Sequence, residues 1–194
     1  MSTARFVAIA MLICLMLGGT QAIAQRSYGD FSVGVGIAAL TGSSTQDWFG
    51  SSGYNVGVDY RVTRGSEDEQ SVNLTYFKSS GQTLMVGSVP TDSWLSSWTA
   101  GITYRKRPTR DNKLYFGYGG GLCLMTEKGS TAGVTTSRNA DPSLELHGLA
   151  GIALSDFVRL ELGYTQYLRS VHNPVSGESA SAGGAFTFTI GGRF

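Results

Sequence analysis

After residue 30, apolar and polar residues alternate along most of this 194-residue chain. Successive side chains of a β-strand point to opposite faces, so a period of two predicts strands with one apolar face and one polar or small face. The alternating stretches are 31–38, 54–61, 72–76, 98–105, 114–124, 144–152, 158–165 and 186–194. The sequence therefore predicts an all-β protein of eight strands.

The connections between these strands alternate in length. Long connections, rich in Ser, Thr, Gly and Asn, cover residues 41–53, 79–93, 126–143 and 170–183, whereas shorter ones cover 62–70, 106–113 and 153–156. Long loops at one end and tight turns at the other are the layout of an up-and-down antiparallel barrel in an outer membrane. No stretch after residue 24 has a helical period, so these connections are predicted to lack helices.

The alternation alone fits a soluble barrel with an apolar interior or a membrane barrel with an apolar exterior. The polar faces here consist mostly of small residues, which suit the narrow interior of eight strands. The apolar faces carry aromatic residues near the strand ends, as expected for two lipid–water interfaces. These aromatics are Tyr54, Tyr60, Tyr76, Trp94, Trp98, Tyr104, Tyr164 and Phe194. We therefore expect an eight-stranded antiparallel transmembrane β-barrel with its apolar face toward lipid.

The first 24 residues have the layout of a cleaved signal peptide. Arg5 is followed by 12 apolar residues and then by the small-residue site Ala22-Ile-Ala24, and such a run is short of the ~20 residues of a spanning helix. We expect cleavage between Ala24 and Gln25, with residues 25–194 forming the barrel domain. Cleavage removes Arg5 from the 15 basic residues, which leaves 14 basic and 14 acidic residues. That balance lacks the basic face of a nucleic-acid-binding protein.

The last predicted strand ends on an aromatic residue in alternating register, with Phe186, Phe188, Ile190 and Phe194 on one face. This strand resembles the assembly signal of bacterial outer-membrane barrels. Residues 25–194 resemble the small eight-stranded outer-membrane β-barrel family of opacity-type and porin-like surface antigens. The resemblance implies residence in the Gram-negative outer membrane, with its lipid, lipopolysaccharide and barrel assembly machinery as partners. It also implies a host or matrix ligand at the surface loops.

Charged residues fall in the middle of the polar strand faces and should therefore meet inside the barrel. They are Asp59, Arg61, Arg105, Glu145, His147, Arg159, Glu161 and Arg193. Buried charges are tolerated when they are paired, so the favoured interpretation is a structural ion-pair network. The alternative is a narrow ion-conducting pore.

His147 and Glu161 suggest a second alternative, a lipid-modifying hydrolase. A short turn between their strands would place them nearly opposite each other on the lumen face, and a histidine with a carboxylate is half of a hydrolytic constellation. Outer-membrane lipid A deacylases carry a serine two residues from the histidine, whereas this sequence has Leu149 there. We therefore predict a non-enzymatic protein with no catalytic residues.

The sequence predicts neither a metal nor a cofactor, because Cys123 is the one cysteine beyond the signal peptide and no Cys/His cluster has zinc-ligand spacing. Recognition, if any, is expected at the long loops, where Trp48, Phe49 and Trp94 are candidate binding aromatics. The alternative is that these three side chains join the outer aromatic band or pack on loop neighbours. The favoured function is a structural or interaction protein of the cell surface.

Overall fold

The computed structural model describes residues 31–64, 67–109, 112–139 and 142–194. The predicted signal peptide and its cleavage site between Ala24 and Gln25 lie outside the described residues and stay a prediction. No helix in the described ranges is long and apolar enough to cross a membrane.

Eight antiparallel strands form a closed ring, as the alternation predicts. Each strand pairs with its neighbours in the chain, and the first pairs with the last, from Ser32 opposite Arg193 to Leu40 opposite Ala185. Full closure leaves no open edge around the ring, which hydrocarbon requires. The ring strands are β1 (Phe31–Leu40), β2 (Ser52–Arg64), β3 (Asp68–Ser79), β5 (Val89–Lys106), β6 (Leu114–Thr131), β8 (Ser143–Ala153), β9 (Val158–Leu168) and β12 (Gly184–Arg193).

The long connections contain more regular structure than their composition predicts. Strands β4 (Gln82–Val86) and β7 (Val134–Asn139) pair with β5 and β6, while β10 (Ser170–His172) pairs with β11 (Ser179–Ser181). The tip of the β6–β7 hairpin has positive φ at Ala132 (49°) and Gly133 (82°), the backbone geometry that matches the twist of paired strands. The expectation of no helix is wrong, because α1 spans Ser43–Phe49.

The two faces of the ring are distributed as expected for a membrane barrel. Apolar side chains point outward and remain exposed, as at Ile37, which is 68% exposed. The buried side chains on the inner face include Ser71, Asn73, Thr99 and Arg105. A soluble protein would have the opposite arrangement, so the apolar exterior is suited to lipid.

Aromatic side chains contact one another at two levels of the exterior. Near the long connections, hereafter the loop end, Tyr76 lies 6.3 Å from Tyr54 and 4.8 Å from Trp98 between ring centroids. Near the short connections, hereafter the turn end, the Tyr104 and Tyr118 centroids lie 5.3 Å apart. The two levels form the aromatic bands expected at two membrane interfaces.

Candidate functional site

The turn end of the lumen is filled by arginine and carboxylate side chains. Arg105 Nε donates to Glu161 Oε1 at 2.9 Å, and Arg105 Nη2 lies 3.5 Å from Asp59 Oδ2. Arg159 contacts the same two carboxylates, with its Nη2 against Asp59 and its Nε 3.4 Å from Glu161. Four side chains that the sequence places in the lumen are thus brought into one cluster, and each charge has an opposite partner.

Glu69 is the carboxylate with the most arginine partners in this cluster, and the sequence analysis missed it. Its carboxylate lies 3.0 Å from Arg61 Nε and 2.7 Å from Arg193 Nη2. Arg105 Nη1 and Arg159 Nη1 approach it at 3.7 and 4.0 Å. Glu69 lies on the inward face of β3 in the same alternation as Ser71 and Asn73, but the sequence analysis assigned residues 62–70 to a connection.

Neutral hydroxyls complete the same cluster. Ser71 Oγ accepts a hydrogen bond from Arg105 Nη1 at 2.7 Å, and Tyr115 donates its hydroxyl hydrogen to Glu161 at 2.9 Å. Charge-assisted hydrogen bonds of this kind are about twice as strong as neutral ones. The cluster joins β2, β3, β5, β6, β9 and β12 across the lumen, so it braces the barrel from within.

A second, smaller polar group lies in the middle of the lumen. Glu145 accepts a hydrogen bond from Thr99 Oγ1 at 3.0 Å and lies 3.4 Å from His147 Nδ1. On its other side, His147 Nε2 lies 2.9 Å from Thr103 Oγ1, which also accepts a 2.6 Å hydrogen bond from Asn73. These side chains line a cavity of about 130 Å³, which has room for a few water molecules.

The expected proximity of His147 and Glu161 is wrong. His147 lies opposite Thr165, whereas Glu161 lies opposite Gly151, four residues along β8. The turn between β8 and β9 sets this register by pairing Ala153 with Arg159. His147 instead stands between Thr103 and Glu145, the order of a hydroxyl–histidine–carboxylate relay. Thr103 is buried inside the lumen, however, and therefore cannot reach a lipid substrate outside the barrel.

An apolar plug closes the loop end of the lumen. Side chains from the ring strands pack there with α1 and with the connection between β9 and β12. Helix α1 is held by hydrogen bonds from Gln46 Nε2 to the Leu40 carbonyl and from Thr45 Oγ1 to the Ala182 carbonyl at 3.1 Å. The plug consists of Ala38, Leu40, Phe49, Phe77, Leu95, Cys123, Met125, Tyr167, Val171, Ala182 and Ala185. The lumen therefore does not open directly to the outside at this end.

Phe49 is 0% exposed inside the plug, which agrees with the alternative that these aromatics pack on loop neighbours and not with a binding role. Trp48 is half-buried against the plug, and its ring meets the Phe49 ring edge-on at 6.4 Å. Trp94 faces outward on β5 and is half-buried, with Lys78 Nζ 5.9 Å from its ring centroid. Of the three candidate aromatics, two pack into the loop end and one remains on the exterior.

A buried ion pair above the plug is another group that the sequence analysis missed. Glu127 is 2% exposed, and its carboxylate accepts a hydrogen bond from Arg169 Nη2 at 3.2 Å. His172 Nδ1 lies 3.5 Å from the same carboxylate. The pair fastens the connection after β9 to strand β6. Glu127 lies in the stretch 126–143, which the sequence analysis interpreted as a connection, so it was not assigned to the inward face.

Two hairpins extend β5 and β6 past the plug as a four-stranded sheet in the order β4–β5–β6–β7. Residues 91–93 of β5 pair with residues 129–131 of β6 and hold the hairpins together. All six residues of β7 are exposed, and so are four of the five in β4. In the described part of the chain, no other strand pairs with the outer edge of β4 or β7.

Strand β12 places the predicted assembly residues on the exterior. Phe186, Phe188, Ile190 and Phe194 are all exposed, and Phe194 donates its backbone hydrogen to the Phe31 carbonyl at 2.8 Å. Their recognition by assembly machinery stays a prediction. Within the described ranges, no group of three His, Cys, Asp or Glu side chains is arranged to hold a metal ion.

The model of one protein family, described as the outer membrane protein beta-barrel domain, matches residues 10–194. Among solved structures, the Neisserial surface protein A is 19% identical with a TM-score of 0.55. Ail, the attachment invasion locus protein of Yersinia pestis, is 14% identical with a TM-score of 0.54. Each alignment covers 87% of this chain and 100% of the other. At these identities the likeness concerns the fold. The search of curated proteins found no match.

Proposed function

Since this chain belongs to the outer membrane protein beta-barrel domain family, we propose that it is a recognition protein at the surface of the Gram-negative outer membrane. In this proposal the barrel is a closed anchor, and the projecting sheet β4–β5–β6–β7 contacts the partner. Up-and-down outer-membrane barrels place their long connections outside the cell, which puts this sheet at the surface.

The exposed edges of the projecting sheet are the observation that carries the proposal. An uncovered strand edge offers a row of backbone donors and acceptors to an extended segment of another protein. Exposed apolar side chains lie beside these edges, at Met85 on β4 and at Val134 on β7. Backbone pairing would supply affinity, and these side chains would supply contacts that distinguish one partner from another.

A non-enzymatic role is part of the proposal. The hydrolase hypothesis required His147 and Glu161 to act together, and the register separates them. A conducting pore is disfavoured, because the plug closes one end of the lumen and the arginine–carboxylate cluster fills the other. The remaining surface with features suited to a partner is the loop end.

The experiment shortens each hairpin without altering the barrel. One variant replaces residues 83–92 with Asn-Gly between Gln82 and Ser93, and another replaces residues 129–136 with Asn-Gly between Lys128 and Ser137. Both junctions are paired positions, so a two-residue turn can close them. Attachment of cells displaying the protein is measured on immobilised matrix proteins and on heparin. Heparin is included because Ail was solved with the heparin analogue sucrose octasulfate.

We expect the wild-type protein to increase attachment over a deletion strain, and the double hairpin variant to lose that increase. Heat-modifiable gel mobility reports whether the variant barrel is folded. The matched control replaces Ser176–Glu178 with Ala-Gly-Ala at an exposed tip of the same end of the barrel, and it should attach like the wild type. Equal attachment by the wild-type and double hairpin strains would contradict the proposal.

A further inference from the structure

Two lysines flank one tryptophan on the outward face of the barrel near the loop end. Trp94 on β5 lies directly opposite Lys128 on the neighbouring strand β6. On the other side, Lys78 of β3 lies opposite Ser96 and reaches over the Trp94 ring, with Nζ 5.9 Å from its centroid. All three side chains are half-buried. They form one continuous patch across three strands, hereafter the Lys78–Trp94–Lys128 patch.

The patch lies just beyond the aromatic band of the loop end. Lys78 follows Tyr76 by two residues on the same face of β3, a rise of about 7 Å along the strand. Tyr76 in turn contacts Trp98. Trp94 lies four residues nearer the loop end of β5 than Trp98 does. Aromatic bands mark the lipid–water interface, so ammonium groups one layer further out lie at the level of lipid headgroups.

The charge of the patch is not neutralised by the protein. Within the described ranges, no carboxylate forms an ion pair with Lys78 or Lys128. The nearest acidic residue on this face is Asp92, two residues beyond Trp94, and it accepts a hydrogen bond from Thr83 at 2.7 Å. Glu127, beside Lys128 in sequence, faces the inside and pairs with Arg169. Lys78 and Lys128 flank Trp94 from β3 and β6, so an anion at Trp94 would lie between two positive charges.

The patch is specific to one side of the barrel. On β8, the next strand after β6 in the ring, and on β9, the outward face at the loop end carries Leu144 opposite Leu168, and both are exposed. A uniform belt of lysines around the barrel would need no particular ligand. A single pair of lysines around one indole instead favours one bound anion at a defined position.

We propose that Lys78, Trp94 and Lys128 bind a phosphate group of the phosphorylated glycolipid of the outer leaflet. The two ammonium groups would donate hydrogen bonds to the phosphate oxygens, and the indole would lie against the sugar to which the phosphate is attached. Acyl chains of the same molecule would then run down the apolar exterior past Tyr76 and Trp98. This inference is independent of the proposed function, because the hairpin variants that test that function retain Lys78, Trp94 and Lys128.

The experiment measures the lipopolysaccharide retained by the folded, detergent-solubilised full-length barrel. Purified lipopolysaccharide, the same material after removal of its phosphates, and inorganic phosphate are each added at rising concentration. The amount bound per barrel is measured by mass spectrometry, or by phosphorus analysis for inorganic phosphate, after size-exclusion chromatography. The test variant is K78A/K128A. The matched control K113A removes the same charge at an exposed position of the turn end.

We expect the double variant to bind intact lipopolysaccharide about thirtyfold more weakly, because each lysine near a charged lipid surface contributes about 1 kcal/mol. K113A and the charge-retaining variant K78R/K128R should bind like the wild type, and the dephosphorylated glycolipid should bind the wild type weakly. The proposal is overturned if K78A/K128A binds as tightly as the wild type, or if removal of the phosphates changes nothing. Equally tight binding of inorganic phosphate would overturn the assignment to the glycolipid.

Should K78A/K128A fail to show the heat-modifiable mobility of a folded barrel, the single variants K78A and K128A are measured in its place. Each removes one of the two ammonium groups and should weaken binding about fivefold. Unchanged binding in both folded single variants would overturn the proposal in the same way.

Discussion

At the scale of single residues, Glu69 holds the ionic interior together. Its carboxylate partly neutralises the positive charge of four arginines, which belong to four different strands. Removing one partner of a buried ionic group costs more than the pair contributes, because the remaining charges stay buried without compensation. Glu69 is therefore the position in the lumen where a small change should have the largest effect.

We expect Glu69→Gln to lower the free energy of unfolding by about 3 kcal/mol, because the arginines lose their shared counter-charge. The measurement is urea unfolding of the detergent-folded barrel, followed by gel mobility. Glu67→Gln is the control, since Glu67 is exposed at the same end. Similar midpoints for the two variants would contradict the role assigned to Glu69.

Two glycines test the assignment of inner and outer faces. A Cβ at Gly119 would lie 2.1 Å from the Ile102 carbonyl oxygen and 2.4 Å from His147 Nε2, whereas a Cβ at Gly148 would meet only the Gly117 carbonyl oxygen, at 3.9 Å. We expect Gly119→Ala to cost about 2 kcal/mol by overpacking and Gly148→Ala to be nearly neutral. Unfolding midpoints measure the difference, and equal values would show that the faces are wrongly assigned.

At the scale of elements, the strands could be predicted because each depends on its own sequence pattern. The eight alternating stretches became the eight ring strands with the predicted faces. Helix α1 could not be predicted, since seven residues are too few to show a helical period and its position depends on contacts with distant strands. Strands β4 and β7 were hidden because their connections are rich in Ser, Thr and Gly, residues typical of loops, and because the apolar run Leu84-Met-Val86 of β4 does not alternate.

The register between strands was the part of the site that the sequence could not supply. A pattern of alternation determines which face a residue occupies, but a shift of two or four residues leaves that face unchanged. His147 and Glu161 were therefore predicted on the correct face and at the wrong height. Glu127 and Glu69 were missed for a different reason, because both lie in stretches that were interpreted as connections although their strands continue through them.

The lipid-facing surface gives a prediction for a strand as a whole. Leu162, which is 59% exposed, lies in the middle of β9, and an arginine there would enter hydrocarbon. We expect Leu162→Arg to destabilise the barrel by about 2–4 kcal/mol in lipid vesicles. Val134→Arg is the control, because β7 lies beyond the ring, and it should change the stability by less than about 0.5 kcal/mol. A neutral Leu162→Arg would argue for a soluble barrel.

At the scale of the whole molecule, the lumen is divided into three layers. The arginine–carboxylate cluster fills the turn end, a small polar cavity lies in the middle, and the apolar plug closes the loop end. The first layer pairs its charges and the plug excludes water. The interior therefore functions as a packed core, as an eight-stranded barrel permits.

This layering predicts that the folded protein does not conduct ions. In planar bilayers, we expect the wild-type barrel to give no discrete current steps at moderate voltage. A 16-stranded porin inserted under the same conditions serves as the positive control, because its interior is wide enough for water. Reproducible steps from the purified barrel would show that the plug opens and would restore the pore hypothesis.

The pairing of β1 with β12 also has a consequence for how the molecule forms. These strands come from opposite ends of the described chain, so their ladder is the contact with the largest loop-closure cost. Until it forms, each strand exposes a row of backbone groups that lipid cannot solvate. A partly assembled ring is therefore not a stable resident of the bilayer. Insertion and closure must be coupled into one cooperative event, and a chain that loses β12 should be degraded instead of accumulating in the membrane.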